Sequence, residues 1–239
     1  MRMKWNRNRG KVNLAVLLLL GAVCLACFPW YQTSDSCFQP QRFQGQVLIL
    51  DAGHGGEDGG AVSVTGTQES QINLDIVLKM QQLCGLFGVD ALLTREKDAS
   101  LRDPNADTLA KMKQTDLRNR VKLIEQTENA FLISIHQNYF AGASNWGAQV
   151  FYASTEPSEA WGVYCQQLLV SCLDPENHRQ SKQISSDIYL MNHISCPAIL
   201  VECGFISNRE EAERLERADY QLQLAMTILA SYLTYDFHA

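Results

Sequence analysis

The chain has 239 residues and a formal net charge of −6, enough length for one α/β domain whose core needs no disulfide framework. Of the 20 basic and 26 acidic residues, residues 1–36 hold five and one (Arg2, Lys4, Arg7, Arg9 and Lys11 against Asp35), leaving 15 basic against 25 acidic in the remainder. A domain this acidic is a poor candidate for binding nucleic acid through phosphate neutralisation, and no nucleic-acid partner is expected.

Residues 12–28 are apolar apart from Asn13, and the five basic residues stand before them with no acid between. That asymmetry predicts a signal peptide or membrane anchor over residues 1–30, and so an extracytoplasmic protein, membrane-anchored or secreted. Cys24-Leu25-Ala26-Cys27 only half resembles a lipid-attachment site, because Cys24 replaces an aliphatic residue, and an uncleaved or slowly cleaved anchor is favoured. Residues 31–45, rich in Gln, Ser and Pro, read as a linker, and a catalytic domain is expected over residues 46–237. The chain has eight cysteines. Most read as small buried hydrophobes, with a disulfide of Cys37 or a Cys165 to Cys172 pair left open.

A strand is expected from Val47 into a glycine-rich loop that holds His54. A helix is then expected from near Gln71, just after Glu69: Ile72, Leu74, Ile76, Val77, Met80, Leu83 and Cys84 recur at helical spacing, closed by Gly85 and Gly88. Residues 90–95 read as a second strand, residues 96–115 as a surface loop with room for one helical turn, and residues 117–126 as a helix. The apolar run Ala130-Phe131-Leu132-Ile133-Ser134-Ile135 ends in His136. A strand over residues 147–153 follows, then a helix over 158–173 with Trp161, Cys165, Leu168, Leu169 and Cys172 inward. A buried strand over 197–204, a helix capped by Ser207 with Glu210, and a helix over 219–235 complete the pattern. Strands alternating with helices predict an α/β fold with a central, mostly parallel sheet covered on both faces.

Two histidines at strand ends suggest a metal site, since such ends are where distant side chains converge. The loop Asp51-Ala52-Gly53-His54-Gly55-Gly56-Glu57-Asp58-Gly59-Gly60 lacks a Gly-Lys-Ser/Thr ending and carries three acids, which argues against phosphate binding. A catalytic zinc takes typically three ligands from His, Asp and Glu and leaves one position open. His54 and His136 supply two, and spacing leaves Glu57, Asp58, Asp75 and Glu69 as competitors for the third. Glu202, in an apolar strand, needs a partner or a task, and beside an activated water it would carry the proton. His178 and His193 lack such support, and Arg95 is expected to bind a substrate carboxylate or a helix carboxylate.

The order Leu50-Asp51-Ala52-Gly53-His54-Gly55-Gly56, Glu69 with Asn73, Ser134-Ile135-His136 and Leu200-Val201-Glu202-Cys203-Gly204-Phe205-Ile206-Ser207-Asn208 resembles the zinc-dependent N-acetylmuramoyl-L-alanine amidases of the amidase_3 type. The resemblance implies a single α/β domain, His54, Glu69 and His136 as zinc ligands, and Glu202 as catalytic acid/base. It also implies peptidoglycan as substrate, cut between N-acetylmuramic acid and L-alanine. The short form resembles the germination-specific amidases that help make muramic δ-lactam in the spore cortex. The missing wall-binding module raises the expectation of an accessory protein. Gln137-Asn138-Tyr139-Phe140 departs from the small residues common after the second histidine and is expected to shape the substrate groove; Cys203 is a second departure. The rival readings are another cell-wall zinc amidohydrolase or peptidase and a catalytically silent wall-binding regulator.

Overall fold

In the computed structural model, residues 43–142 and 144–237 are described. Six strands, β1 (Val47–Ala52), β2 (Ala91–Leu93), β3 (Ala130–Asn138), β4 (Gln149–Tyr152), β5 (Lys182–Gln183) and β6 (Ala198–Phe205), form one sheet in the order β2-β1-β3-β6-β4-β5. The β2-β1-β3-β6 ladders are parallel, β4 runs antiparallel to β6, and β5 is parallel to β4. The sheet is thus mostly parallel, as the alternating pattern predicts. The antiparallel β4 is the exception, and it follows β3 through a loop with no crossover helix.

Among the described residues six helices surround the sheet: α1 (Glu69–Phe87), α2 (Leu109–Glu125), α3 (Ser158–Leu173), α4 (Tyr189–Asn192), α5 (Arg209–Leu215) and α6 (Ala218–Thr234). α1, α3 and α6 pack together against one face. On the other, Ile124 of α2 and Leu190 and Met191 of α4 join Ile49, Leu132 and Leu200 in one buried cluster. Near-continuous burial along β1, β3 and β6 reflects this double cover. Trp161, fully buried, donates Nε1 to Ser231 Oγ at 3.1 Å and ties α3 to α6.

Several expectations need correction. α1 begins at Glu69 and runs through Gly85, ending at Gly88, which takes the left-handed conformation (φ 66) that glycine tolerates. α2 starts at Leu109, inside the segment read as a loop. Thr108 caps it by accepting from Lys111 N at 3.3 Å, and its exposed first turns carry no apolar stripe to betray them. The cap of α5 is Asn208, whose Oδ1 takes Glu210 N and Glu211 N, rather than Ser207. Cys172 is exposed rather than inward, and Cys84, Cys165, Cys172, Cys196 and Cys203 are all free thiols. The anchor over residues 1–30 and all but the end of the linker lie outside the described residues. Among the described residues, no helix is long and apolar enough to cross a membrane.

The chain moves from β1 outward to β2 and then back to β3 on the other side of β1. The crevice at the carboxyl ends of β1 and β3 is therefore where the strand order reverses, the place where open α/β sheets bind ligands.

Candidate metal centre

His54 follows β1, His136 lies near the end of β3, and Glu69 is the first residue of α1. Glu69 Oε1 sits 3.2 Å from His54 Nε2 and 3.1 Å from His136 Nδ1. One donor atom from each of the three residues lies within 4.8 Å of the others. The imidazole rings meet edge to face with centroids 5.0 Å apart.

Backbone geometry explains the glycines around them. A Cβ on Gly53 would stand 2.3 Å from His136 Nε2, so only glycine lets that ring lie over the loop. A Cβ on Gly60, whose φ is +69, would stand 2.6 Å from Glu69 Oε2. His54 itself holds a left-handed φ of 63. Its carbonyl accepts from Arg120 Nη2 at 2.7 Å, and its Nδ1 meets Asp58 Oδ2 at 2.9 Å. Glu69, 4% exposed, is aimed by Gln137 N onto Oε1 and Ala61 N onto Oε2, both at 3.1 Å.

Electrostatics match this packing. Burial disfavours a charged His54, yet the hydrogen bonds and charges of Asp58 and Glu69 outweigh it and raise its pKa to about 9. Against its own desolvation, the two imidazoles hold Glu69 well below the usual carboxylate range. The pocket thus stabilises positive charge beside a buried carboxylate, and its N, N, O donor set suits a borderline metal such as zinc.

Glu202 is the residue directly across the β3–β6 ladder from His136. Its Oε2 is buried without a hydrogen-bond partner among the described residues. Burial pushes its pKa up to about 7, with positive charge on His136 opposing and the Glu69 carboxylate adding. A cavity of about 220 Å³ opens beside the centre, bordered by His54, His136, Asp58, Lys113, Ile188 and Tyr189.

The competing third ligands are otherwise engaged. Glu57 pairs with Arg102 Nε at 2.9 Å, Asp75 accepts from Gln71 Nε2 at 2.9 Å on the surface of α1, and Asp58 serves His54 from behind. Arg95 binds neither a substrate carboxylate nor a helix carboxylate: it is buried and donates to the carbonyls of Ala52, Gly53 and Ser70 at 2.9, 3.0 and 2.7 Å. Gln137 is no groove residue, because it is buried with Nε2 on Asn73 Oδ1 at 3.0 Å, whereas Tyr139 and Phe140 are 53% and 61% exposed. His193 stacks on Tyr189 with centroids 3.9 Å apart, His178 is exposed, and His238 lies outside the described residues.

Sequence reasoning missed Arg120 and the role of Asp51. Asp51 accepts from Thr94 Oγ1, Ser134 Oγ and Arg120 Nη1 at 2.8, 2.6 and 2.5 Å, a buried knot under the His54 loop. Asp116 and Arg120, four apart on a helix, were the available signal.

Residues 48–232 match the N-acetylmuramoyl-L-alanine amidase family model. The chain is 33% identical over 230 residues to the germination-specific N-acetylmuramoyl-L-alanine amidase of Bacillus subtilis, covering 95% of this chain and 96% of that one. Among solved structures it resembles the CwlD amidase from Clostridioides difficile, determined in complex with the GerS lipoprotein, with a TM-score of 0.75 and 36% identity over 80% of this chain and 100% of that one. It also resembles the amidase AmiC2 of Nostoc punctiforme, with a TM-score of 0.68 and 27% identity over 80% and 97% of the two chains. With all of the sheet except its first residue, Val47, inside the matched residues, the chain belongs to the N-acetylmuramoyl-L-alanine amidase family and is a peptidoglycan amidase.

Proposed function

We propose that residues 46–237 form a zinc-dependent catalytic domain in which His54, Glu69 and His136 hold the ion and Glu202 is the catalytic acid/base. The observation that carries this reading is the convergence of three donor atoms within 4.8 Å of one another, next to a glutamate whose buried oxygen has no other partner among the described residues. When bound, zinc supplies Lewis acidity that polarises a carbonyl and acidifies water.

The chain's own groups do the rest. Glu202 Oε2 accepts a proton as the water oxygen bonds to the lactyl carbonyl carbon of N-acetylmuramic acid. The carbon–nitrogen bond then breaks, its electron pair leaves with the L-alanine nitrogen, and Glu202 returns the proton to that nitrogen. A carboxyl pKa near 7 suits a group that must take and give a proton at neutral pH. Asp58 keeps His54 Nε2 turned inward by occupying Nδ1.

The setting we propose is the spore cortex, where removal of the stem peptide prepares muramic δ-lactam. Likeness to the germination-specific amidase of Bacillus subtilis supports it. The basic and apolar N-terminal residues support an extracytoplasmic enzyme, anchored in the membrane or secreted. The relative solved with a lipoprotein supports an accessory protein for this chain too.

Chelation and reconstitution test the metal assignment. The purified chain is expected to hold one zinc per molecule, lose amide cleavage on chelation and regain it with zinc. His54→Ala and His136→Ala are expected to lose both metal and cleavage. Undiminished activity in the chelated protein would reject the reading.

A further inference from the structure

Helix α2 grips the His54 arm of the site along one stripe. Lys113, Asp116 and Arg120 stand at i, i+3 and i+7, which places them on a single helix face. Arg120 holds the backbone, with Nη2 on the His54 carbonyl at 2.7 Å and Nη1 on the Ala52 carbonyl at 2.9 Å. Asp116 braces Arg120 by accepting from its Nε at 2.8 Å. Lys113 reaches the ring: its Nζ lies 2.8 Å from Asp58 Oδ1, and Asp58 Oδ2 lies 2.9 Å from His54 Nδ1.

We infer that Lys113 is a positioning residue of the metal centre, fixing the Asp58 carboxylate against His54 so that the site holds its metal more tightly. This rests on the assignment of His54, Glu69 and His136 as ligands. With the His54 backbone clamped by Arg120, rotation of the ring is the freedom that remains, and Asp58 controls it. The backbone of Asp58 is tied to that of Gly55, but apart from His54 its carboxylate is held among the described residues by Lys113 and by a longer bond from Gly60 N at 3.3 Å. Without Lys113 the carboxylate, 23% exposed, can swing to solvent. An orienting carboxylate behind a ligand histidine sets both its tautomer and its angle, which is why outer partners affect metal affinity.

One effect opposes this. The ammonium charge of Lys113 repels a nearby cation, so its removal would by itself tighten binding. That repulsion is weak here, because the side chain is 46% exposed, is paired with Asp58 and acts through solvent with a screening length of about 8 Å. Positioning outweighs charge, and the two predict opposite signs.

The test is zinc affinity of the full chain by chelator competition. Lys113→Met is expected to weaken zinc binding by about tenfold, the low end for an outer partner, and Lys113→Arg to restore it. Asp58→Asn is expected to weaken binding, and adding Lys113→Met to it to change nothing further, since both act along one path. Lys111→Met removes an exposed charge, paired with Asp107, from the same helix and is expected to have no effect. Unchanged or tighter binding by Lys113→Met, or an additive loss on Asp58→Asn, would overturn the inference. His136→Ala separates the two levels. If it retains zinc, the ligand assignment fails; if it loses zinc while Lys113→Met binds like the native chain, only the role of Lys113 fails.

Discussion

Glu202 and His136 are directly opposed across the parallel ladder of β3 and β6, so their side chains leave the same face of the sheet at the same level. The proposed proton carrier and one imidazole of the proposed metal site are thereby set by strand register, which a flexible loop could not do as accurately. Glu202→Gln keeps the shape and removes the proton function. It is expected to retain zinc and lose activity by at least about a hundredfold, as measured by zinc content and kcat on peptidoglycan.

Acid pH acts through the same group. Burial places the Glu202 carboxyl at about 7, and only its deprotonated form can accept a proton from water. Activity is therefore expected to rise as pH increases toward 7, with the limb moved lower by the cation's positive charge. A profile of kcat/KM that stays flat from about pH 5 to pH 8 in zinc-replete enzyme would contradict this assignment.

The glycine loop yields a steric prediction. Gly53→Ala places a methyl group 2.3 Å from the His136 ring, and the ring must leave its position. The variant is expected to fold, with unchanged circular dichroism, and to bind zinc more weakly by at least about tenfold. Gly60→Ala adds a clash with Glu69 to a left-handed backbone and is expected to be no better.

Beneath the site, Asp51 and Arg120 form a buried pair, and removing one partner leaves the other uncompensated. Asp51→Asn is expected to destabilise the fold by about 3 kcal/mol in chemical denaturation. Burial raises the Asp51 pKa, but Arg120 and the hydroxyls of Ser134 and Thr94 more than offset this and bring it down to about 2 from 3.8. A depressed carboxyl contributes stability above its unfolded pKa and loses it as pH falls through the folded value. On the order of 2 kcal/mol should therefore be lost between about pH 4 and pH 2, and Asp51→Asn should lack that part of the loss.

The thiols should divide by burial. Cys84, Cys165 and Cys203 are buried, and desolvation raises the pKa of each. Cys172 is exposed. Alkylation of the native protein followed by mass spectrometry is expected to label Cys172 before Cys84, Cys165 and Cys203, which react only after unfolding.

Where the sequence carried a strong period or a chemical need, it was legible. Continuous apolar runs placed β1, β3 and β6, and the histidines and glutamate at their ends pointed to the crevice that the topology creates. The start of α2 was hidden because its first turns are solvated on most sides and a single capping threonine marks them. Arg95 and Arg120 were misread or missed for a related reason. Apart from the Asp116–Arg120 pair, four apart on α2, their partners are mostly backbone carbonyls or residues more than 20 positions away, and no local spacing reports those contacts. Glu69 was separable from Glu57, Asp58 and Asp75 only by family resemblance, since the choice depends on where α1 begins.

The proposed chemistry is tested most sharply by mass spectrometry of the products that zinc-loaded native enzyme and zinc-loaded Glu202→Gln release from the same peptidoglycan. The native chain is expected to free stem peptides with L-alanine at their amino end and to leave intact muramic acid, while the variant releases none above background. Cleavage inside the stem peptide, or continued release by the variant, would contradict that chemistry.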